Sequence, residues 1–178
     1  SSSWLWGKRT LKEFSSIGKT SFVQNSTLPN NPAAILFTSG STGPPKGVVY
    51  THAMFGHQLD VLRSCYNIQP GEVDLSTFPL FSLFAVGIGM TSILPEMDFT
   101  RPAKVDPKKI LNTITKHNIT SAFGSPALWN TISSYCISNN RQLTSLNRIL
   151  MAGAPIPGSL IQNFNHLLKP KATIHTPY

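Results

Sequence analysis

From Ala33 to His175 the chain alternates short apolar, β-rich runs with stretches of helical spacing, and that alternation leaves few folds open. Ala33–Phe37 is short enough for a buried strand and Val48–Tyr50 is β-branched and aromatic. A helix is predicted from Ala53 to about Asn67, where Met54, Leu59, Leu62 and Tyr66 recur at helical spacing and Thr51 is the expected cap. Leu75–Leu80 reads as a strand, Ser82–Gly89 as a turn or short helix, and Thr91–Leu94 as a strand ended by Pro95. Asp106–His117 is a helix with Asp106 capping, Pro107 in the first position and Ile110, Leu111 and Ile114 as its apolar stripe. The pattern then repeats: strand at Thr120–Phe123, helix at Pro126–Ser138, strand at Arg148–Met151, helix at Gly158–Leu168, strand at Ala172–His175. Strand alternating with helix implies an α/β fold, right-handed crossovers, and a mostly parallel sheet with helices on both faces. Ligands of such sheets lie at the carboxyl ends of strands.

The loop after the first strand is built to hold an anion. Ser39, Ser41 and Thr42 offer hydroxyls, Gly40 and Gly43 let backbone N–H groups approach, and Lys46 adds a cation. A Walker-type phosphate loop fails by position. Counted from Gly40, its second glycine falls on Pro45 and its Mg²⁺-binding hydroxyl on Gly47, leaving only Lys46 in place. Pro44 and Pro45 also withdraw two N–H donors and disfavour a helix directly after the loop. A ligand-free hairpin connection is the plain alternative from composition.

The ten residues Thr38-Ser39-Gly40-Ser41-Thr42-Gly43-Pro44-Pro45-Lys46-Gly47 resemble the signature loop of the adenylate-forming enzymes: acyl-CoA synthetases, luciferases and the adenylation domains of peptide synthetases. The resemblance implies a loop that closes over the β- and γ-phosphates of ATP while a carboxylate attacks the α-phosphate, giving acyl-AMP and pyrophosphate. Two further stretches follow in the family's order. Ala152-Gly153-Ala154-Pro155 resembles a segment whose backbone lies along the adenine, and Thr176-Pro177-Tyr178 resembles the start of a motif whose tyrosine stacks on adenine and whose glutamate helps hold Mg²⁺. That glutamate lies beyond Tyr178, so the Mg²⁺ ligand is expected outside this chain.

Within the family, Phe81-Ser82-Leu83-Phe84 together with Asp98–Pro107 is similar to the β-lactone synthetases of olefin biosynthesis, and the chain resembles these and the fatty acyl-CoA ligases. Ser82 stands where most members carry histidine, which removes any gating role borrowed from that histidine. The resemblance implies a fatty or 3-hydroxy fatty acid as substrate, with Phe81, Ser82 and Phe84 bordering the acyl tunnel. Once the carboxylate is adenylated, a 3-hydroxyl can attack the acyl carbon intramolecularly, without coenzyme A. The alternatives are an acyl-CoA ligase proper, with coenzyme A as acceptor, and a non-catalytic nucleotide-binding module.

At 178 residues and 40% hydrophobic content the chain could form one ordinary domain. By resemblance it is instead the middle of a larger one: 1–31 a Ser/Asn/Pro-rich lead-in with a short helix near Leu11–Ile17, and 32–178 the central part of the AMP-binding N-terminal domain, with the C-terminal domain absent. The chain begins without methionine and stops inside a motif, so a catalytically incomplete piece is expected. Its charge of +8 is spread in small groups such as Lys104, Lys108 and Lys109, without a basic helix stripe, which argues against nucleic acid. Cys65 and Cys136 form no CxxC pattern and fit a reducing cytoplasm. The uncharged stretch 75–95 is broken by Pro79, Gly87, Gly89 and several hydroxyls and reads as core, not as a membrane span. Trp4 and Trp6 leave contact with a membrane surface as a lesser option.

Of the remaining polar residues, His52 and His57 stand about 140° apart on a helix and make no metal pair. His175 precedes the tyrosine motif and is open to either site approach or strand packing. The acidic residues Glu13, Asp60, Glu72, Asp74, Glu96, Asp98 and Asp106 all fall outside the nucleotide segments. By the family resemblance, the expected catalytic residues are Lys46 and Thr42. The nucleotide is expected to meet Thr38, Ser39, Gly40, Ser41, Thr42, Gly43, Lys46, Gly153, Ala154, Pro155, Thr176 and Tyr178.

Overall fold

The computed structural model describes residue 13 and residues 26–38 and 43–177, which fall in two compact units divided between Met54 and Phe55. In the first, β1 (Pro32–Thr38) and β2 (Lys46–Thr51) pair antiparallel as a two-stranded ribbon, with Thr38 opposite Lys46. The expectation of a buried first strand is overturned: Ile35, Phe37, Val48 and Val49 are exposed, Phe37 at 72%. A two-strand ribbon has two faces, and among the described residues neither is covered by a second layer. α1 (His52–Tyr66) follows directly, its first turn capped by the Thr51 hydroxyl, which accepts from the Met54 N–H at 3.3 Å. The short helix expected near Leu11–Ile17 lies outside the described residues apart from Glu13, which is helical.

The second unit is built on a five-stranded, all-parallel sheet in the order β4-β3-β5-β6-β7. The strands are β3 (Val73–Ser76), β4 (Thr91–Ile93), β5 (Ser121–Gly124), β6 (Arg148–Met151) and β7 (Thr173–His175). Between them run α2 (Ser82–Ile88), α3 (Pro107–Lys116), α4 (Pro126–Ser138) and α5 (Gly158–Leu167). The chain leaves β3 for β4 on one side, then returns past β3 to place β5 on the other. Connections of one hand that reverse direction must lie on opposite faces, and the direction reverses between β3 and β5.

Side-chain alternation divides the sheet accordingly. Leu75, Ala122, Ile149 and Met151 point to one face and pack with Ile110 and Ile114 of α3, Leu128, Trp129 and Ile132 of α4, and Leu160 and Phe164 of α5 in the main core. The opposite face carries Asp74, Ser76, Ser121, Phe123, Arg148, Leu150 and His175. It faces a smaller cluster of Ile68, Ala85, Ile88 and Met90 with Leu59, Leu62 and Tyr66.

The strand expected over Leu75–Leu80 is shorter and earlier, Val73–Ser76. Thr77 leaves the ladder by donating its hydroxyl to the Phe123 carbonyl at 2.7 Å, and Pro79, which has no N–H to give, opens a 3₁₀ turn over Pro79–Phe81. Nor is the stretch 75–95 uniformly core. Leu75, Ala85, Ile88 and Met90 are buried, but Leu83 and Val86 are 68% and 63% exposed. No helix among the described residues is long and apolar enough to cross a membrane. Cys65 and Cys136 are both free thiols.

Candidate functional site

The polar-bearing face of the sheet is the floor of a cavity of about 820 Å³ within the second unit. Phe123 and Leu150 rise from the centre of β5 and β6, while Val61, Leu62 and Tyr66 of α1 and Phe84, Ala85 and Ile88 of α2 form the roof and walls. Its position follows from the topology. The reversal between β3 and β5 leaves a crevice that no crossover fills, and small residues on this face, Ser76 and Ser121 among them, leave space above the strands.

Two of the three residues expected to border an acyl tunnel line this cavity. Phe81 and Phe84 do so, with Phe81 edge-on to Phe123 at 4.7 Å and to Phe84 at 6.0 Å. This edge-to-face series makes a stiff aromatic wall. Ser82 is turned away. Its hydroxyl donates to the Pro79 carbonyl at 2.6 Å, holding the 3₁₀ turn against α2, and it is not part of the lining.

Past the carboxyl ends of β6 and β7, Ala152, Gly153 and Pro177 close the near end of the cavity. Gly153 has φ of +95°, a left-handed conformation that favours glycine, and the space where a Cβ would stand is open. Its backbone is therefore accessible to a flat ligand. Ala154 and Pro155 are exposed just beyond it, and Thr176 lies in the extended segment after β7.

In the first unit, Lys46 opens β2 and Gly43 lies in the bend before it. Thr38 ends β1. Ser39, Gly40, Ser41, Thr42 and Tyr178 lie outside the described residues. The anion loop thus follows a strand of the separate ribbon, and only the Gly153 and Thr176 segments follow strands of the parallel sheet.

The acidic inventory, set aside as lying outside the nucleotide segments, holds the residue that sequence reading missed. Asp74 is 8% exposed and lines the cavity floor. Ser76 donates to its Oδ2 at 2.6 Å, the Ser92 and Ser76 hydroxyls lie 2.8 Å apart, and Ser121 stands beside Asp74 in the sheet register. Burial nevertheless dominates and pushes the Asp74 carboxyl from its ordinary 3.8 up to about 6, against the opposing pull of the Ser76 hydroxyl and of Arg148. The one available signal was the alternation in Val73-Asp74-Leu75-Ser76, which places Asp74 on the face opposite Leu75.

Beside Asp74, Arg148 is 6% exposed and fully engaged. It pairs with Glu72 at 2.7 Å and donates to the carbonyls of Tyr66 at 2.9 Å and Asn67 at 3.1 Å. His175 resolves toward packing. Its ring meets Tyr66 edge-on at 5.0 Å, its Nε2 lies 3.0 Å from the Thr173 hydroxyl, and burial followed by the nearby Arg148 lowers its pKa. His57 lines the cavity from α1. Among the described residues, no group of three or more His, Cys, Asp or Glu is placed to hold a metal ion.

Residues 4–178 match the family model of the AMP-binding enzyme. The olefin beta-lactone synthetase of Xanthomonas campestris pv. campestris is 43% identical over 174 residues, covering 97% of this chain and 31% of that protein. A medium-chain-fatty-acid–CoA ligase of Ectopseudomonas oleovorans is 24% identical over 153 residues, 84% of this chain and 28% of that one. The chain thus spans about a third of the length of the curated relatives it matches. Among solved structures, the AMPPNP-bound nonribosomal peptide synthetase FmoA3 superposes with a TM-score of 0.72 at 19% identity, over 88% of this chain and 17% of that one, which shows a shared fold. With the family model covering nearly every residue, the chain belongs to the AMP-binding enzyme family.

Proposed function

We propose that the enzyme containing this chain uses ATP to activate a fatty or 3-hydroxy fatty acid as acyl-AMP, releasing pyrophosphate. The observation that carries this reading is the cavity of about 820 Å³, walled by Phe81, Phe84 and Phe123 and lined at its near end by Gly153 and Pro177, past the carboxyl ends of the strands. An apolar chain buried there gains roughly 25 cal/mol per Å² of surface removed from water, while its carboxylate stays at the carboxyl ends of the strands. Gly153, Ala154, Pro155, Thr176 and Tyr178 would border the adenine. Lys46 and the hydroxyls of Thr38, Ser39, Ser41 and Thr42, with the backbone at Gly40 and Gly43, would hold the departing pyrophosphate. Thr42 and Lys46 then act on charge that grows during the reaction, which is where a donor lowers the barrier. Mg²⁺ would screen the phosphates, with its carboxylate ligand beyond Tyr178.

The β-lactone synthetase likeness favours the substrate's own 3-hydroxyl as the acyl acceptor. The fatty-acid–CoA ligase likeness supports a second reading with coenzyme A in that role. The two differ in whether coenzyme A is consumed with a 3-hydroxy acid. A cytoplasmic setting belongs to the same proposal and is supported by the two free thiols.

The test is Lys46→Ala in the full-length enzyme, with pyrophosphate release followed against long-chain acids. A fall in kcat of about a hundredfold or more is expected. Unchanged turnover would remove Lys46 from the site and the anion-loop reading with it.

A further inference from the structure

The cavity's polar groups are not evenly spread. In the sheet register, Asp74 pairs with Ser121, and Ser121 pairs with Arg148, so all three stand level at the amino ends of the strands. Gly153 and Pro177 line the same cavity beyond the carboxyl ends. Arg148 to Met151 alone spans roughly 10 Å at about 3.3 Å per residue, so a ligand whose carboxylate sits near Gly153 reaches Asp74 only with a distant part of its chain. An all-hydrocarbon tail ending against Asp74 would strip a carboxyl of water and return nothing.

Resting on the reading of this cavity as the acid's binding site, we infer that Asp74 is a specificity-determining residue that recognises a hydroxyl on the acyl chain, remote from the carboxylate and distinct from any 3-hydroxyl. The neighbourhood selects the chemistry. The Arg148 guanidinium, held by Glu72, disfavours a ligand cation, and the carboxylates of Asp74 and Glu72 disfavour an anion. A hydroxyl can donate to Asp74 when it is ionised and accept from it when it is protonated. The Ser76 hydroxyl already holds the carboxyl in place, so the site is preorganised.

The experiment compares a saturated long-chain acid with its monohydroxy isomers, substituted from mid-chain to the terminus, on the full-length enzyme. ATP–pyrophosphate exchange gives kcat/KM for each, and equilibrium binding without ATP gives the affinities. One contiguous set of isomers should exceed the parent acid by roughly ten- to a hundredfold in both readouts. Asp74→Leu should erase that ratio, and Asp74→Asn, which keeps the shape, should retain part of it. Absence of any isomer preference in the wild type, or a preference that survives both substitutions, overturns the inference. Should Asp74→Leu fail to fold, the wild-type comparison and Asp74→Asn still decide. Binding selectivity without pyrophosphate exchange for any acid would instead refute the proposed activation reaction and leave the recognition by Asp74 standing.

Discussion

Asp74 shows how a residue's neighbours set its proton affinity. Its folded pKa, about 6, lies above the ordinary 3.8, so between those values the folded chain binds a proton that the unfolded chain has released. Stability from this group is therefore full below pH 4, falls as pH rises to about 6, and stays low above it. The two-unit rise corresponds to about 3 kcal/mol. Asp74→Asn should remove this dependence, so its stability relative to wild type should rise by about 3 kcal/mol between pH 4 and pH 7 in denaturant titrations. A difference that is flat with pH would show that the carboxyl is solvated.

Among the elements, the β5–α4 connection is the most tightly specified. Ser125 caps α4 by accepting from the Leu128 N–H at 3.3 Å, and Pro126 takes the first helical position, where a missing N–H does no harm. Gly124 then lets the helix sit directly on the strand. A Cβ there would stand 2.7 Å from Trp129 Nε1 and 2.9 Å from Leu128 Cδ2, both fully buried. The same crowding leaves Trp129 Nε1 as the one buried side-chain polar atom among the described residues without a partner. Gly124→Ala should destabilise by about 1–3 kcal/mol, read from the unfolding midpoint in urea. α3 obeys the same grammar, with Asp106 accepting from the Lys108 N–H at 2.9 Å and Pro107 next. α3 was legible from sequence because cap, proline and apolar stripe all lie within one short window, and α4 from its place in the strand and helix alternation. β3 was misread because Leu75, Phe78 and Leu80 carry a strand-like apolar pattern on past Ser76. Its end is decided by a hydroxyl bond from Thr77 to Phe123, a residue far along the chain.

For the second unit as a whole, one buried cation links elements that the core does not. The main core occupies one face of the sheet, whereas the C-terminal end of α1 is held to the other by Arg148, through Glu72 and the carbonyls of Tyr66 and Asn67. Burial also raises the Cys136 thiol to about 11, so on the core side it packs as a small apolar group. Arg148→Leu should cost about 3–5 kcal/mol, because it leaves a carboxylate and two carbonyls without their donor. Thermal melting should shift accordingly. An unchanged melting temperature would mean that α1 is held by its apolar contacts alone.

The strand and helix alternation, the caps at Thr51 and Asp106, and the family loop at Thr38–Gly47 were all readable in the sequence, because each depends on residues within a few positions of one another. Parallel pairing followed from connection length. The sequence could not reveal which strands leave the sheet or which face becomes a cavity. The exposed β1–β2 ribbon, the turn of Ser82 away from the lining and the arrival of Asp74 on the cavity floor depend on partners tens of residues distant. Alternation could assign Asp74 to a face, but only packing decided that helices would cover that face without filling it. A carboxyl that would be unremarkable in a solvated strand is thereby held out of water, where its proton affinity and its capacity to select a ligand both change.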